Sequence, residues 1–285
     1  MFSILIPTWD NYKFVRLCVE SILKNSAYKH QVILHINEGS DETMAWAKKN
    51  NIAFTFSPQN IGICKAMNMA YTLASHDYIC YMNDDMYCCP GWDKALIDEI
   101  NKLDTDCFML SGTLIEPVET GNPCVLVKDY GRDVEGFKED QLLAGYASLN
   151  KKDWSGSTWP PNVVHRAYWD KIGGFSESFS PGMSSDDDFS MKMWQQGCRC
   201  FKGAGKSLVY HFMSKSTKRI VKNDGRLQFL KKWKMKQSTF HKYYLKRGEI
   251  FQDKLKQPAS ISYKFKLLLD NVARLKNRSA LLKSI

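Results

Sequence analysis

No run in this 285-residue chain approaches the roughly 18 to 20 consecutive apolar residues that a spanning helix needs, so no segment reads as a membrane span. The opening Met1-Phe-Ser-Ile-Leu-Ile-Pro7 lacks a basic leader, an extended apolar segment and a small-residue cleavage site. It reads as a strand rather than a signal peptide, and the expectation is a protein made and kept in the cytoplasm. No CxxC pair occurs among the nine cysteines; the nearest neighbours, Cys88-Cys89 and Cys198-x-Cys200, do not suit a zinc site. Reduced, partly buried thiols are expected, because a disulfide framework would imply export.

Acidic residues are scarce in only one part of the chain. Residues 206–285 carry 21 Lys and Arg against 4 Asp and Glu, whereas residues 1–205 carry 19 against 26. The overall charge of +10 therefore belongs to the C-terminal segment. Such a segment favours an anionic partner, whether phosphate, nucleic acid or an acidic lipid surface.

Apolar stretches alternate with helical patterns through the first hundred residues: Phe2 to Pro7, then Tyr12 to Leu23; Val32 to Ile36, then Thr43 to Lys49; Phe54 to Phe56, then Ile61 to Leu73; and Tyr78 to Met82. That rhythm predicts βαβ units, an α/β fold with a mainly parallel central sheet flanked by helices. Cys107 to Leu110 reads as a further strand, and 116–138 as a long polar surface loop. Trp154-Ser-Gly-Ser-Thr-Trp-Pro-Pro161 forms a turn whose two tryptophans either stack on a sugar or pin the loop to the core. Helices are expected over Val164 to Ile172 and Ser184 to Gln196, the latter with Asp186, Asp187 and Asp188 in a first turn that suits the helix dipole. Beyond Val209 the chain is Lys-rich, with amphipathic stretches carrying Phe229, Leu230, Trp233, Phe240, Tyr243 and Tyr244, and again from Tyr263 to Leu282. These aromatics read as core or docking residues, on helices that suit an anionic membrane surface.

The strongest local signal is Tyr78-Ile-Cys-Tyr-Met-Asn83-Asp84-Asp85, an apolar strand ending in an amide and two carboxylates. Adjacent carboxylates at a strand end repel each other, so they persist at low cost only when solvated or neutralised by a cation.

In order and spacing these pieces resemble family 2 glycosyltransferases of GT-A fold, such as bacterial cell-surface polysaccharide enzymes, over roughly residues 1–215. Ser3-Ile-Leu-Ile-Pro-Thr8 resembles the first strand, His35-Ile-Asn37-Glu38-Gly39-Ser40 the second-strand motif, and Asn60-Ile-Gly62 through Asn68 the next loop and helix. Asn83-Asp84-Asp85 stands at the metal-binding DxD position. Gly173-Gly174-Phe175-Ser-Glu177, Asp186-Asp187-Asp188-Phe189 and Trp194-Gln-Gln-Gly197 match the acceptor-side segment, and Val209-Tyr210-His211 a motif whose histidine can join the metal shell.

The resemblance implies a GT-A catalytic domain over 1–215, with a nucleotide-binding half (1–105) and an acceptor-side half (106–215), followed by a basic helical extension (216–285). It implies a metal-dependent inverting transferase. Mn2+ or Mg2+ would be held by Asp85, Asp84 and His211, and a nucleoside-diphosphate sugar, UDP-linked in this reading, by Pro7, Thr8, Asn37, Glu38, Asn60, Lys65, Asn83 and Asp84. Asp186 would be the general base, and Trp154, Trp159, Asp187 and Asp188 would meet a glycan or lipid-linked acceptor. Two positions depart from the family pattern: Asn37 replaces an aspartate that contacts the base, and Ser185 replaces the glutamate before the catalytic aspartate. Gln228-Phe-Leu-Lys-Lys-Trp233 lacks the spacing of the processive QxxRW motif, which favours non-processive transfer.

Two other readings compete. A sugar nucleotidyltransferase would carry a glycine-rich basic loop after the first strand, where this chain has Thr8-Trp9-Asp10-Asn11. A nucleic-acid-binding protein would use the Lys-rich segment but leave the clustered carboxylates without a role. Nucleic acid is therefore not an expected partner; the basic helices of 216–285 either meet an anionic membrane surface or pack on the catalytic domain.

Overall fold

A computed structural model of the protein describes residues 1–214 and 223–276. Ten strands form one sheet: β1 (Phe2–Trp9), β2 (Gln31–Asn37), β3 (Ala53–Ser57), β4 (Tyr78–Tyr81), β5 (Met86–Cys88), β6 (Phe108–Glu116), β7 (Leu126–Val127), β8 (Trp154–Ser155), β9 (Asn162–His165) and β10 (Cys200–His211). The spatial order is β3-β2-β1-β4-β9-β6-β10-β5, with β7 on β6 and β8 on β10.

The first half is the expected parallel sheet. β1 pairs in parallel with β2 and β4, and β2 with β3, each linked through a helix: α1 (Tyr12–Asn25), α2 (Thr43–Lys49) and α3 (Gly62–Tyr71). On α1 the apolar side chains Val15, Cys18, Val19 and Ile22 recur at helical spacing and are fully buried. The second half is more mixed than its sequence suggests. β9 runs antiparallel to both β4 and β6, while β10 runs parallel to β6. Val164 lies in β9, and the helix expected from that residue begins only at Arg166 (α6, Arg166–Ile172). Between these elements lie α4 (Trp92–Ile100) and α5 (Glu139–Gly145).

Two antiparallel steps restore direction, so β6 and β10 point the same way as β1, β2 and β4. Their C-terminal ends therefore share one edge, where open α/β sheets bind ligands. That edge gathers Pro7, Asn37, Asn83 to Asp85, Glu116 and His211.

The acidic helix α7 (Ser185–Gln195) lies on the second half. Residues 223–276 contain α8 (Gly225–Trp233), α9 (Gln237–Thr239), a π turn (Phe240–Tyr244) and α10 (Ile261–Lys276). They pack on the sheet domain, since Phe229, Phe240, Tyr244, Leu245 and Leu255 share one core with Leu5, Met109, Phe189 and Trp194. Each such buried aromatic contributes about 1.5–3 kcal/mol. Backbone bonds stitch the extension to β8: Ser155 N–H donates to Glu249 O (2.9 Å), and Gly248 N–H to Ser155 O (2.9 Å). Of the helix expected over Tyr263 to Leu282, the portion after Lys276 lies outside the described residues.

Candidate active site

At the sheet edge a cleft of about 390 Å³ is lined by Pro7, Trp9, Asn37, Asn60, Gly62, Asn83, Asp84, Asp85 and His211, among others. Seven residues singled out from sequence thus meet in one place. Thr8, between Pro7 and Trp9, is buried and does not line the cleft. Asn37 Oδ1 accepts from Ile61 N–H (2.9 Å) and Ser57 Oγ (3.2 Å), so its amide fixes the loop that leads into α3. Glu38 Oε1 accepts from Asn60 N–H at 3.3 Å, and Asn60 Oδ1 from Gly62 N–H at 2.9 Å. Gly62 has φ +76, and a Cβ there would stand 2.9 Å from Pro181 Cα, so only glycine lets this turn meet the 180–181 segment. Lys65 is not brought to the cleft; it is half-exposed on α3, 3.7 Å from Glu177. Asn68 holds the Gly174-Phe175 turn by a pair of bonds to Phe175 N and O.

Asp85 is buried, with Oδ2 accepting from Ser214 N–H (2.7 Å) and Oδ1 3.5 Å from His211 Nε2. The other ring nitrogen, Nδ1, meets Glu116 Oε1 at 3.1 Å. Burial alone would raise the Asp85 pKa, but His211 and the Ser214 bonds outweigh it and hold the carboxyl below its usual range. Burial likewise disfavours the His211 imidazolium, yet the flanking Asp85 and Glu116 push its pKa up to about 10. Two carboxylates on one imidazole make a strongly cation-favouring edge. Among the described residues no three His, Cys, Asp or Glu side chains form a ready-made metal cage. An oxygen–nitrogen pair with open positions still fits a divalent ion that takes its remaining ligands from water and a diphosphate. A carboxylate behind the far ring nitrogen is also the usual support of a metal-binding histidine. Glu116 escaped the sequence reading, although its signal was present: a carboxylate ending an apolar strand, as in the Asp84-Asp85 pair.

A second lobe of about 350 Å³ is lined by Asp186, Trp159, Glu116, Asn122, Ser185 and Arg247. It shares Ile63, Asn83, Met183 and His211 with the first. Asp186 stands at the start of α7, and its Oδ1 is buried without a hydrogen-bond partner. Burial, reinforced by Asp187 and opposed by Arg247, pushes its pKa up to about 8. A desolvated carboxylate poised near neutrality, facing a cavity, has the attributes of a general base.

The other acidic-helix and tryptophan positions are occupied differently. Asp188 is fully buried and bonded to Ser176 Oγ (2.6 Å), Trp233 Nε1 (2.8 Å) and Lys232 Nζ (2.7 Å), tying α7 to α8. Asp187 is bonded to His241 and Gln237 of the extension. Trp154 is buried, donates from Nε1 to Thr113 Oγ1 (2.9 Å) and stacks behind Trp159 at 5.4 Å. Of the proposed acceptor contacts, only Trp159 lines the cavity. Arg247 could not be singled out from sequence, because an arginine in a basic segment carries no local mark.

With this geometry established, the comparisons define the class. A family model described as glycosyl transferase family 2 matches residues 3–152, more than half of the chain, and the chain belongs to that family. The chain is 23% identical over 223 residues to the O-antigen biosynthesis protein RfbC of Myxococcus xanthus, covering 73% of this chain and 17% of that one. It thus spans about one sixth of the length of that relative. Among solved structures, S. aureus TarS 1–349 in complex with UDP-GlcNAc superposes with a TM-score of 0.54 at 16% identity, covering 75% of this chain and 60% of that one. Mannosyltransferase PcManGT from Pyrobaculum calidifontis, in complex with GDP-Man and Mn2+, superposes with a TM-score of 0.55 at 16% identity, covering 99% and 72%. At such identities the likeness shows the fold, which is GT-A.

Proposed function

We propose that the protein is a metal-dependent, inverting, non-processive glycosyltransferase that moves a sugar from a nucleoside-diphosphate sugar, UDP-linked in our reading, to a hydroxyl of a glycan or lipid-linked oligosaccharide. The observation that carries this reading is that the two lobes meet at Asn83 and His211, with Asp85 in one and Asp186 in the other. A base and a cation-favouring site on opposite sides of one junction suit attack on the anomeric carbon from the face opposite the leaving diphosphate.

In this reading Pro7, Asn37 and Asn60 border the nucleotide, while Asn83 and Asp84 face the diphosphate. Asp85 and His211 would hold Mn2+ or Mg2+, with Asp84 beside them. The bound ion would neutralise the charge developing on the leaving diphosphate. His211 Nε2 must give up its proton to serve as a ligand, and Glu116 keeps the ring oriented through Nδ1. Asp186 takes the acceptor hydroxyl proton, a role worth roughly two to four orders of magnitude in rate. Trp159 borders the same lobe with its ring held between Trp154 and the Arg247 guanidinium, so it would meet an acceptor through its edge rather than a free face. The neighbours' bound UDP-GlcNAc, GDP-Man and Mn2+ support the donor class and the ion. The experiment is a panel of sugar nucleotides assayed for nucleoside diphosphate release with and without Mn2+ or Mg2+. Metal-dependent turnover of one donor is expected; absence of binding and turnover across the panel would overturn the reading.

We place the enzyme at the inner face of an anionic membrane. α10 exposes Ile261, Phe265, Leu268, Val272 and Leu275, spaced alternately by four and three residues along one face. Lys264, Lys266, Arg274 and Lys276 flank that stripe against a single acid, Asp270. Among the described residues no helix is long and apolar enough to cross a membrane. An interfacial helix of this kind binds through apolar burial plus attraction to anionic lipid. Co-sedimentation with phosphatidylglycerol vesicles, lost in Phe265→Ser/Leu268→Ser, tests it.

A further inference from the structure

The acceptor-side lobe is completed by the C-terminal extension, through one arginine. Arg247 lies over the Trp159 ring with its guanidinium carbon 4.0 Å from the centroid. Its Nη1 donates to His241 Nδ1 (3.3 Å), and His241 Nε2 in turn donates to Asp187. The order of donors fixes the imidazole tautomer and orients the guanidinium. Arg247 also meets the buried Cys124 thiol, so its guanidinium is fixed from several sides. The backbone is built to admit this residue: Gly156 has φ +96, and a Cβ there would stand 2.7 Å from Arg247 Cα.

Arg247 also lines a separate open cavity of about 730 Å³ bordered by Asp224, Arg226, Lys236 and His241. Arg226 and Lys236 are exposed, with no ion pair to a carboxylate among the described residues. Asp224 caps α8 through Leu227 N–H (3.0 Å). One guanidinium is thus the shared wall between a cationic outer cavity and the lobe that holds Asp186.

We propose that the outer cavity and Arg247 bind a phosphate group of the acceptor, so that the enzyme selects phosphate-bearing acceptors and presents their hydroxyl to Asp186. A planar guanidinium that is oriented by His241 and borders both cavities suits a phosphate oxygen edge better than a neutral sugar, and Arg226 and Lys236 extend the path outward. Asp187 and His241 are then positioning residues for Arg247. This inference deepens the transferase reading and rests on it. The same chemistry is offered by a lipid diphosphate and by a phosphodiester-linked polyol chain.

The test titrates three probes by calorimetry: a short-chain prenyl diphosphate carrying one sugar, a glycerol phosphate oligomer, and a neutral oligosaccharide. UDP with Mn2+ is titrated in parallel into the same proteins. At least one phosphate probe is expected to bind ten or more times tighter than the neutral one, and which of the two does so names the source. Arg247→Ala should weaken it at least tenfold, Arg247→Lys less, and the surface variant Arg226→Ala/Lys236→Ala about threefold, all with UDP affinity unchanged. Equal binding of charged and neutral probes, or undiminished phosphate binding in both Arg247→Ala and the surface variant, would overturn the proposal. Failure of UDP to bind wild type would instead count against the transferase reading, while the phosphate titration would still decide the role of Arg247.

Discussion

The two lobes of the cleft treat their key carboxylates in opposite ways. In the first, Asp85 is held by the Ser214 N–H and the His211 ring, and its pKa is lowered. In the second, Asp186 leaves an oxygen buried and unpartnered, and its pKa is pushed up to about 8. Asp85 is stabilised as an anion and suits binding positive charge; Asp186 is kept reluctant to ionise and suits moving a proton. Environment, rather than residue type, divides the labour between two aspartates.

Removing either carboxylate should break the comparison most severely, and in different observables. Asp186→Asn is expected to lower turnover about 10²–10⁴-fold while leaving donor nucleotide affinity within a factor of a few, measured by nucleoside diphosphate release and by calorimetry. The same variant should be more stable than wild type at high pH. A folded-state pKa above the unfolded one means stability is full below about pH 4 and is lost as pH rises toward 8, so removing the charge relieves a cost. At pH 9 the melting temperature should rise by roughly 3–6 °C, equivalent to about 1–2 kcal/mol.

A smaller effect is expected at Glu116. Glu116→Gln weakens support of the His211 ring and should reduce Mn2+ affinity about 10–100-fold in a metal titration, with thermal stability little changed. In wild type, kcat/KM should fall as pH drops through about 8, because the base must be deprotonated, and a pH–rate profile of Asp186→Asn should lack that limb. In stability rather than activity, Gly156→Ala should cost about 1–3 kcal/mol through its positive φ and the crowding against Arg247, measured by urea unfolding.

The same division explains how much was legible in the sequence. The parallel half follows from hydrophobic period, so the apolar runs fall on β1 to β4, and Pro7, Asn37 and Asn83 to Asp85 come together at the C-terminal edge. Thr43 to Lys49 matched α2 residue for residue. The second half was harder because its order is set by antiparallel insertion. β9 is four residues long and its last residues read as the start of the helix after it, and β10 does not read as a strand at all, Val209-Tyr210-His211 standing out only as a motif. At the site, Asp85, Asp186 and His211 carry motif context, Glu116 carries only the strand-end signal of a carboxylate closing an apolar run, and Arg247 acquires meaning only when distant segments meet. The tryptophan turn reads as pinning or sugar stacking; Trp154 is locked in the core, while Trp159 borders the cavity with Trp154 and Arg247 against its ring. Asp187 and Asp188 look like ligands in sequence but bond to residues of the extension, which no local pattern reveals.

The most direct test of the division of labour is donor nucleotide affinity and turnover measured side by side, with saturating Mn2+, in wild type, Asp85→Ala and Asp186→Asn. The account predicts that Asp85→Ala loses metal-dependent nucleotide affinity along with turnover, while Asp186→Asn keeps the affinity and loses only turnover. Equal nucleotide affinity in Asp85→Ala and wild type, or full turnover in Asp186→Asn, would contradict it.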